Sequence, residues 1–251
     1  MKKTLFTIIL ISIFFSCSND ESTSSVDLNI QLTQCIPSGL QSNLIAFYPF
    51  SNGSLDDVSN SNDLTNLTTA SPTTDRDGNI DCAYKFESIN NEYLTTTNTA
   101  FLDNLSEFSI SLWYNATSNG VLVSRDDIDL HCPDTIGQWS IRLFELAQPV
   151  FSHLNSVHEP SEDLNNNINN WHHLVITYNE LNNTLSIYRN GVLKDTDTGI
   201  ADCGNNPPTV QDIGDLFFGK FNGKLDDIGI FNVELTQSNI SLLYETEPCC
   251  E

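Results

Sequence analysis

Near the end of the chain, Gly223 to Phe231 reads GKLDDIGIF, which places two adjacent aspartates, Asp226 and Asp227, inside an apolar run with the pattern of a buried strand. Neighbouring residues on a strand point to opposite faces. With Leu225 inward, alternation sends Asp226 outward and Asp227 inward, unless a bulge or a strand end intervenes. An unpaired buried carboxylate is costly, so the inward one requires a cation, a hydrogen-bond donor or a water-filled edge. A second acidic stretch, SRDDIDLHCPDTIGQ from Ser124 to Gln138, offers Arg125, Asp126, Asp127 and Asp129. Three aspartates and a guanidinium in a long loop have the chemistry to hold a cation or sugar hydroxyls, with Arg125 as a bidentate donor; a solvated insertion is the plainer alternative. His172 and His173 are adjacent, so on a strand they diverge and cannot share a metal. His153 and His158, with Glu159, match neither H-E-x-x-H nor zinc-finger spacing and read as loop residues.

The elements that must position these groups are strands. From about residue 40 onward the chain offers LIAFYPF, AYKFE, FSISLWY, GVLVS, WSIRLF, WHHLVITY, LSIYRNGVL, LFFG and KLDDIGIF, without a sustained helical period. These runs are rich in β-branched and aromatic residues and are separated by Asn, Asp, Gly and Ser clusters, the pattern of an all-β sandwich or barrel. Phe108, Ile110 and Leu112 share one strand face, and Asn190-Gly191 marks a tight hairpin. Trp113, Trp139 and Trp171 fall within strand patterns and are expected in the core. A single short helix is expected at LTQSNISLLY, with Thr236 as its N-cap and Ile240, Leu243 and Tyr244 on one face. Short strands over roughly 210 residues fit one large domain.

The chain opens Met1-Lys2-Lys3, followed by an apolar run from Leu5 to Phe15. A helix through that run reaches about 16 Å, too short for a bilayer core of about 30 Å, so it reads as the core of a signal peptide. Ser16-Cys17 resembles a lipobox, which makes residues 1–16 the leader and Cys17 the lipidated first residue. Residues 17–39 are polar and acidic and read as a flexible tether, with the folded domain at 40–251. The acidic patch behind Cys17 resembles the surface-export signal of Bacteroidetes lipoproteins, implying an outer-membrane, cell-surface location; a plain periplasmic spacer is the alternative. The formal charge is −23, and removing Lys2 and Lys3 with the leader makes it −25. Such a field repels phosphate backbones and attracts divalent cations, which argues against a nucleic-acid partner. Setting Cys17 aside leaves six cysteines, Cys35, Cys82, Cys132, Cys203, Cys249 and Cys250, an even number without a C-x-x-C pair, which favours three disulfides over zinc. Of fifteen connectivities, the expected one ties Cys35 to one of the terminal pair, Cys82 to the other, and Cys132 to Cys203.

LIAFYPFSNGSLDDVSNSNDLTN, DRDGNIDCAYKFESINNEYL, FSISLWY, WHHLVITYNELNNTLSIYRNGVL and FNGKLDDIGIFNVELTQSNISLLY, in that order, resemble a concanavalin A-like lectin/glucanase domain of the laminin G-like, pentraxin-related group. The resemblance implies a two-sheet antiparallel jelly-roll sandwich, and a structural calcium between the loop after the first strand and the last long strand. Residue by residue it implies Asp56, Asp57 and Asn60 in the loop, with Asp226 or Asp227 beside them; here the family's S-G-N-G region reads Ser59-Asn60-Ser61-Asn62, without its glycines. Calcium takes six to eight oxygen ligands, and Asp, Asn and Ser supply them. The family match favours Asp226, alternation favours Asp227. Glucanases of this fold use E-x-D-x-x-E, and Glu87, Glu92 and Glu145 fit neither its spacing nor its Asp, so catalysis is not expected. The expected function is a non-catalytic module binding an extracellular glycan, or alternatively a protein as an adhesion domain; a hydrolase or lyase stands third. Oligomeric state is open.

Overall fold

The structure is a computed structural model that describes residues 35–125, 139–144, 148–153, 156–158, 168–197 and 214–250. Its strands are β1 (Leu44–Tyr48), β2 (Ser71–Thr73), β3 (Ala83–Phe86), β4 (Tyr93–Thr96), β5 (Glu107–Ala116), β6 (Gly120–Arg125), β7 (Trp139–Phe144), β8 (Gln148–His153), β9 (Ser156–His158), β10 (Trp171–Asn179), β11 (Thr184–Arg189), β12 (Val192–Asp197), β13 (Leu216–Gly219) and β14 (Gly223–Phe231). An α-helix, α1 (Gln237–Tyr244), follows β14, and the Thr236 side chain accepts the Asn239 amide at its N-terminus. The fold is the expected all-β sandwich.

An eight-stranded antiparallel sheet runs β12-β11-β10-β5-β14-β3-β2, with β1 also on β14, and faces a six-stranded sheet β4-β13-β6-β7-β8-β9. Alternation builds the core between them. Phe108, Ile110 and Leu112 of β5 pair with Tyr178, Ile176 and Leu174 of β10, and their side chains meet Leu94, Leu122, Ile141 and Phe218 from the other sheet. The β11–β12 hairpin closes at Asn190 (φ 52°) and Gly191 (φ 75°), the two left-handed positions a tight right-twisted hairpin demands.

The outer face of the large sheet is also covered. Cys35, Ile36 and Leu40 from the N-terminal side, Ile240 and Leu243 from α1, and Cys249 pack over Phe47, Val175 and Phe231 as a second apolar layer. Disulfides Cys35–Cys249 and Cys82–Cys250 fasten this cap, joining residues 214 and 168 positions apart. Both bridges agree with the expected arrangement; Cys132 and Cys203 lie outside the described residues, as do Met1 to Cys17. The tether boundary at residue 39 is displaced: Cys35 and Ile36 are buried because the disulfide draws them into the cap.

The tryptophans divide. Trp139 joins the inner core, whereas Trp113 lies on the capped outer face and Trp171 is only half buried. Position on the alternation separates them, since Trp113 sits between the inward Leu112 and Tyr114.

Candidate functional site

Strand β14 is interrupted where its aspartates stand. On one edge, β3 pairs with Gly223 to Leu225 and β1 pairs with Ile228 to Phe231, leaving Asp226 and Asp227 between the two partners. On the other edge the β5 register shifts between Asp226 and Gly229, a bulge at which Asp227 takes φ 45°. Aspartate tolerates that left-handed conformation better than most residues. The extra residue cancels the alternation. Leu225 and Ile228 both face the inner core, and Asp226 and Asp227 together meet a guanidinium beneath the cap. Neither the inward placement of Asp227 nor a division of the pair between faces holds, because a bulge carries two residues against one.

The guanidinium is that of Arg76, from the loop between β2 and β3. Its Nη1 donates to Asp226 Oδ2 at 3.2 Å and Asp227 Oδ2 at 2.7 Å, and its Nη2 donates to the Thr246 carbonyl at 3.1 Å. Its Cζ stands 4.3 Å from the Trp113 ring centroid, within cation–π range. The Cys249 amide also donates to the Asp227 carboxylate, and the Asp227 amide to Asp226 Oδ1 at 2.8 Å. Burial pushes the Asp226 carboxyl well above the usual aspartate range, and Asp227 adds to this while Arg76 opposes it. Asp227 is also raised by burial, against the pull of Arg76.

Beside this centre lies a cavity of about 20 Å³, lined by Arg76, Asp227, Trp113, His173, Ser111 and Thr246 among others. His173 Nε2 is 2.8 Å from Ser111 Oγ, and its Nδ1 is buried without a partner. Burial, reinforced by Arg76, lowers the imidazole to about 3 and keeps it neutral. Trp113, His173 and Tyr244 cluster with ring centroids 5.2 to 6.0 Å apart, Tyr244 stacked on the other two and Trp113 tilted against His173. His172 faces the opposite way, against Tyr114, so the adjacent histidines diverge as expected.

The other expected ligands form a separate structure. Asp57 is buried and its carboxylate is saturated: Oδ1 accepts from the Phe47 amide, the Ser59 amide and the Ser59 hydroxyl, and Oδ2 from the amide and side-chain nitrogen of Asn62. Asn60 donates to the Leu44 carbonyl and Asp56 is exposed. Among the described residues, the group of three His, Cys, Asp or Glu ligand atoms lying within 4.8 Å of one another is Asp75, Cys82 and Cys250, whose sulfurs are bonded to each other. Asp57 is thus not gathered with Asp226 and Asp227.

Of the acidic-loop candidates, Arg125 turns inward. It is buried, donates to the Leu102 carbonyl at 2.8 Å and pairs with Asp103, so it anchors a neighbouring turn and is not an outward ligand donor. Asp126, Asp127 and Asp129 lie outside the described residues, as do Glu145, Glu159 and the side chains of His153 and His158. Glu92 is buried and holds the Thr69 hydroxyl and Glu87 amide, while Glu87 pairs with Lys85. On the outer face of the six-stranded sheet, Tyr93 and Phe217 flank the inward Leu94, Leu216 and Phe218. Both are half-buried, with ring centroids 5.6 Å apart in an edge-on pair.

A family model described as the concanavalin A-like lectin/glucanases superfamily (Laminin_G_3) matches residues 88–241. The chain belongs to that superfamily. The laminin G-like domain also resembles solved structures: the binding domain of Paraclostridial Mosquitocidal Protein 1 (TM-score 0.63, 19% identity, 81% of this chain and 52% of that one). The binding domain of botulinum neurotoxin serotype D gives 0.61, 15%, 82% and 52%. That of botulinum neurotoxin DC in complex with rat synaptotagmin II gives 0.58, 19%, 82% and 52%. This chain spans about half the length of those domains, and at such identity the likeness carries the fold alone. No curated relative matches the sequence.

The calcium that the superfamily implies does not fit this laminin G-like domain at the matched residues. The Asp57 oxygens are taken up by five N–H and O–H donors, and the β14 carboxylates are held by a guanidinium. Sequence reasoning missed Arg76, although it stands in the DRDGN block and is one of only ten basic residues against 33 acidic ones. In so acidic a chain, a basic residue within a family-like block is a partner to be looked for.

Proposed function

We propose that this domain is a non-catalytic carbohydrate-binding module carried on a lipid anchor at Cys17 and displayed on the outer-membrane surface. The observation that carries the sugar reading is the Tyr93–Phe217 pair, two partly exposed aromatic rings on the outer face of the six-stranded sheet. Rings in that state offer an apolar face for the C–H surface of a sugar while the Tyr hydroxyl stays wet. The non-catalytic reading is supported by residue types: none of the six strands of that sheet carries an Asp or Glu, whereas glycoside hydrolysis requires two carboxylates flanking the bond. On the large sheet, Asp226 and Asp227 are engaged by Arg76 beneath the cap.

A glycan array probed with the full chain tests this. Binding to a polysaccharide that weakens at least about fivefold in Tyr93→Ala supports it, a modest loss for an anchoring aromatic; no glycan bound, or an indifferent Tyr93→Ala, defeats it. Release of reducing ends from the bound polysaccharide would restore the hydrolase or lyase reading. A protein ligand is the second reading, favoured by the neighbour solved with rat synaptotagmin II. A partner retained in the presence of competing sugars selects it. Loss of the membrane-bound fraction in Cys17→Ala, with protease accessibility on intact cells for the unaltered chain, checks anchor and display.

A further inference from the structure

We propose that Arg76 is the resident cation of this domain: its guanidinium replaces a structural divalent ion in joining the last long strand to a neighbouring loop and to the C-terminal segment. The domain therefore needs no calcium, and removing Arg76 uncovers a cation site.

Three observations carry this. First, the acceptors that meet Arg76 are oxygens from separated parts of the chain, the carboxylates of Asp226 and Asp227 and the Thr246 carbonyl, while Arg76 comes from a loop 150 positions before Asp226. A bound hard cation would cross-link such oxygens in the same way. Second, the bulge at Asp227 and the gap between β3 and β1 place both carboxylates on one side with no strand between them and the guanidinium. Third, His173 lines the same cavity, almost wholly buried, with Nδ1 unpartnered. The cavity beside Arg76 thus already holds a ring nitrogen that the guanidinium does not use. Arg76 is itself mostly enclosed and lies over Trp113, so its charge is shielded from water on the side away from the carboxylates. A guanidinium in that position is a fixed, non-exchangeable cation.

The test uses the full chain and two readouts, thermal unfolding and terbium luminescence, since a lanthanide is a hard oxygen-seeking cation and Trp113 is placed to sensitise it. The unaltered protein is expected to keep its Tm with chelator or with millimolar calcium and to give no Trp-sensitised terbium emission. Arg76→Ala leaves two buried carboxylates without a counter-charge. Its Tm should fall by roughly 10 °C, rise again with calcium but not with potassium, and terbium emission should appear. Should Arg76→Ala fail to fold without metal, refolding in calcium supports the proposal equally. Arg76→Met/Asp226→Asn/Asp227→Asn, which removes both signs of charge, should fold and ignore calcium. A chelator-induced loss of Tm in the unaltered protein overturns the proposal. So does an Arg76→Ala variant that folds as well as the parent, or one that is destabilised and gains nothing from calcium. None of these readouts involves sugar, so they stand or fall independently of glycan binding.

Discussion

Two of the places where the domain buries acid are neutralised in two different ways. Asp57 is surrounded by dipoles from within a few residues of itself, the Ser59 and Asn62 groups, with the Phe47 amide as its most distant donor. Asp226 and Asp227 are met by a full charge from 150 positions away and lie beneath a cap closed by a disulfide spanning 214. The first solution is a loop that folds around its own carboxylate. The second exists only once the sheet, the β2–β3 loop and the C-terminal segment have come together. A local hydrogen-bonded turn spends little chain entropy, whereas a remote ion pair depends on every element that closes the loop between its members. The two sites should therefore respond differently to the same perturbations.

At the local site an effect as large as that of Arg76→Ala is expected. Asp57→Ala leaves buried donors of Phe47 and Asn62 unsatisfied and should cost roughly 3 to 5 kcal/mol, read as a Tm fall on the order of 10 °C. Asp57→Asn, which keeps acceptor capacity on one atom, should lose less than half of that. Equal losses would mean that charge, and not the hydrogen-bond set, makes this loop. Next, Cys35→Ser/Cys249→Ser should cost roughly 3 kcal/mol by freeing a long loop in the unfolded chain. It should also red-shift Trp113 fluorescence as the cap loosens, while leaving the Asp57 loop protected from amide exchange.

A smaller and more diagnostic effect is expected with pH, because Asp226 and His173 work in opposite directions. The Asp226 carboxyl is raised by burial, so above the ordinary aspartate range the folded state holds a proton that the unfolded chain has lost. Its contribution to stability falls as pH rises towards neutrality. His173 is held down to about 3 by burial, so below an ordinary value of about 6.5 the unfolded chain gains a proton that the folded state refuses. Its contribution falls as pH drops. Tm measured from about pH 4 to about pH 7 should show Asp226→Asn removing the loss towards neutral pH and His173→Gln removing the loss towards acid. Slopes that change in the same sense would refute the assignment. The smallest effect belongs to another local device: Thr236→Ala at the α1 N-terminus should cost about 1 kcal/mol, without altering either pH limb.

Much of this architecture was legible in the residues. Alternating runs such as FSISLWY specified which side chains face the core, since a period of two admits one inward set. Asn190-Gly191 specified its hairpin, Thr236 its helix start, and the position of Cys35 against Cys249-Cys250 a link between the ends. The candidate site was half legible. The aspartate pair stands out as charge in apolar surroundings and Asp57 enters through the family resemblance, but GKLDDIGIF does not announce a bulge at Asp227, because the bulge arises where β3 ends and β1 begins on the same edge of β14. Arg125 looked outward from its acidic loop and is instead drawn inward by Asp103 and the Leu102 carbonyl.

The sequence by itself determined the all-β class, the inward-facing set and the presence of buried acid in need of a partner, all of which follow from residue type and local spacing. The tertiary structure decided the partner. Asp57 received dipoles, Asp226 and Asp227 received Arg76, and Tyr93 came beside Phe217, because strand order and register bring together residues that no local pattern connects.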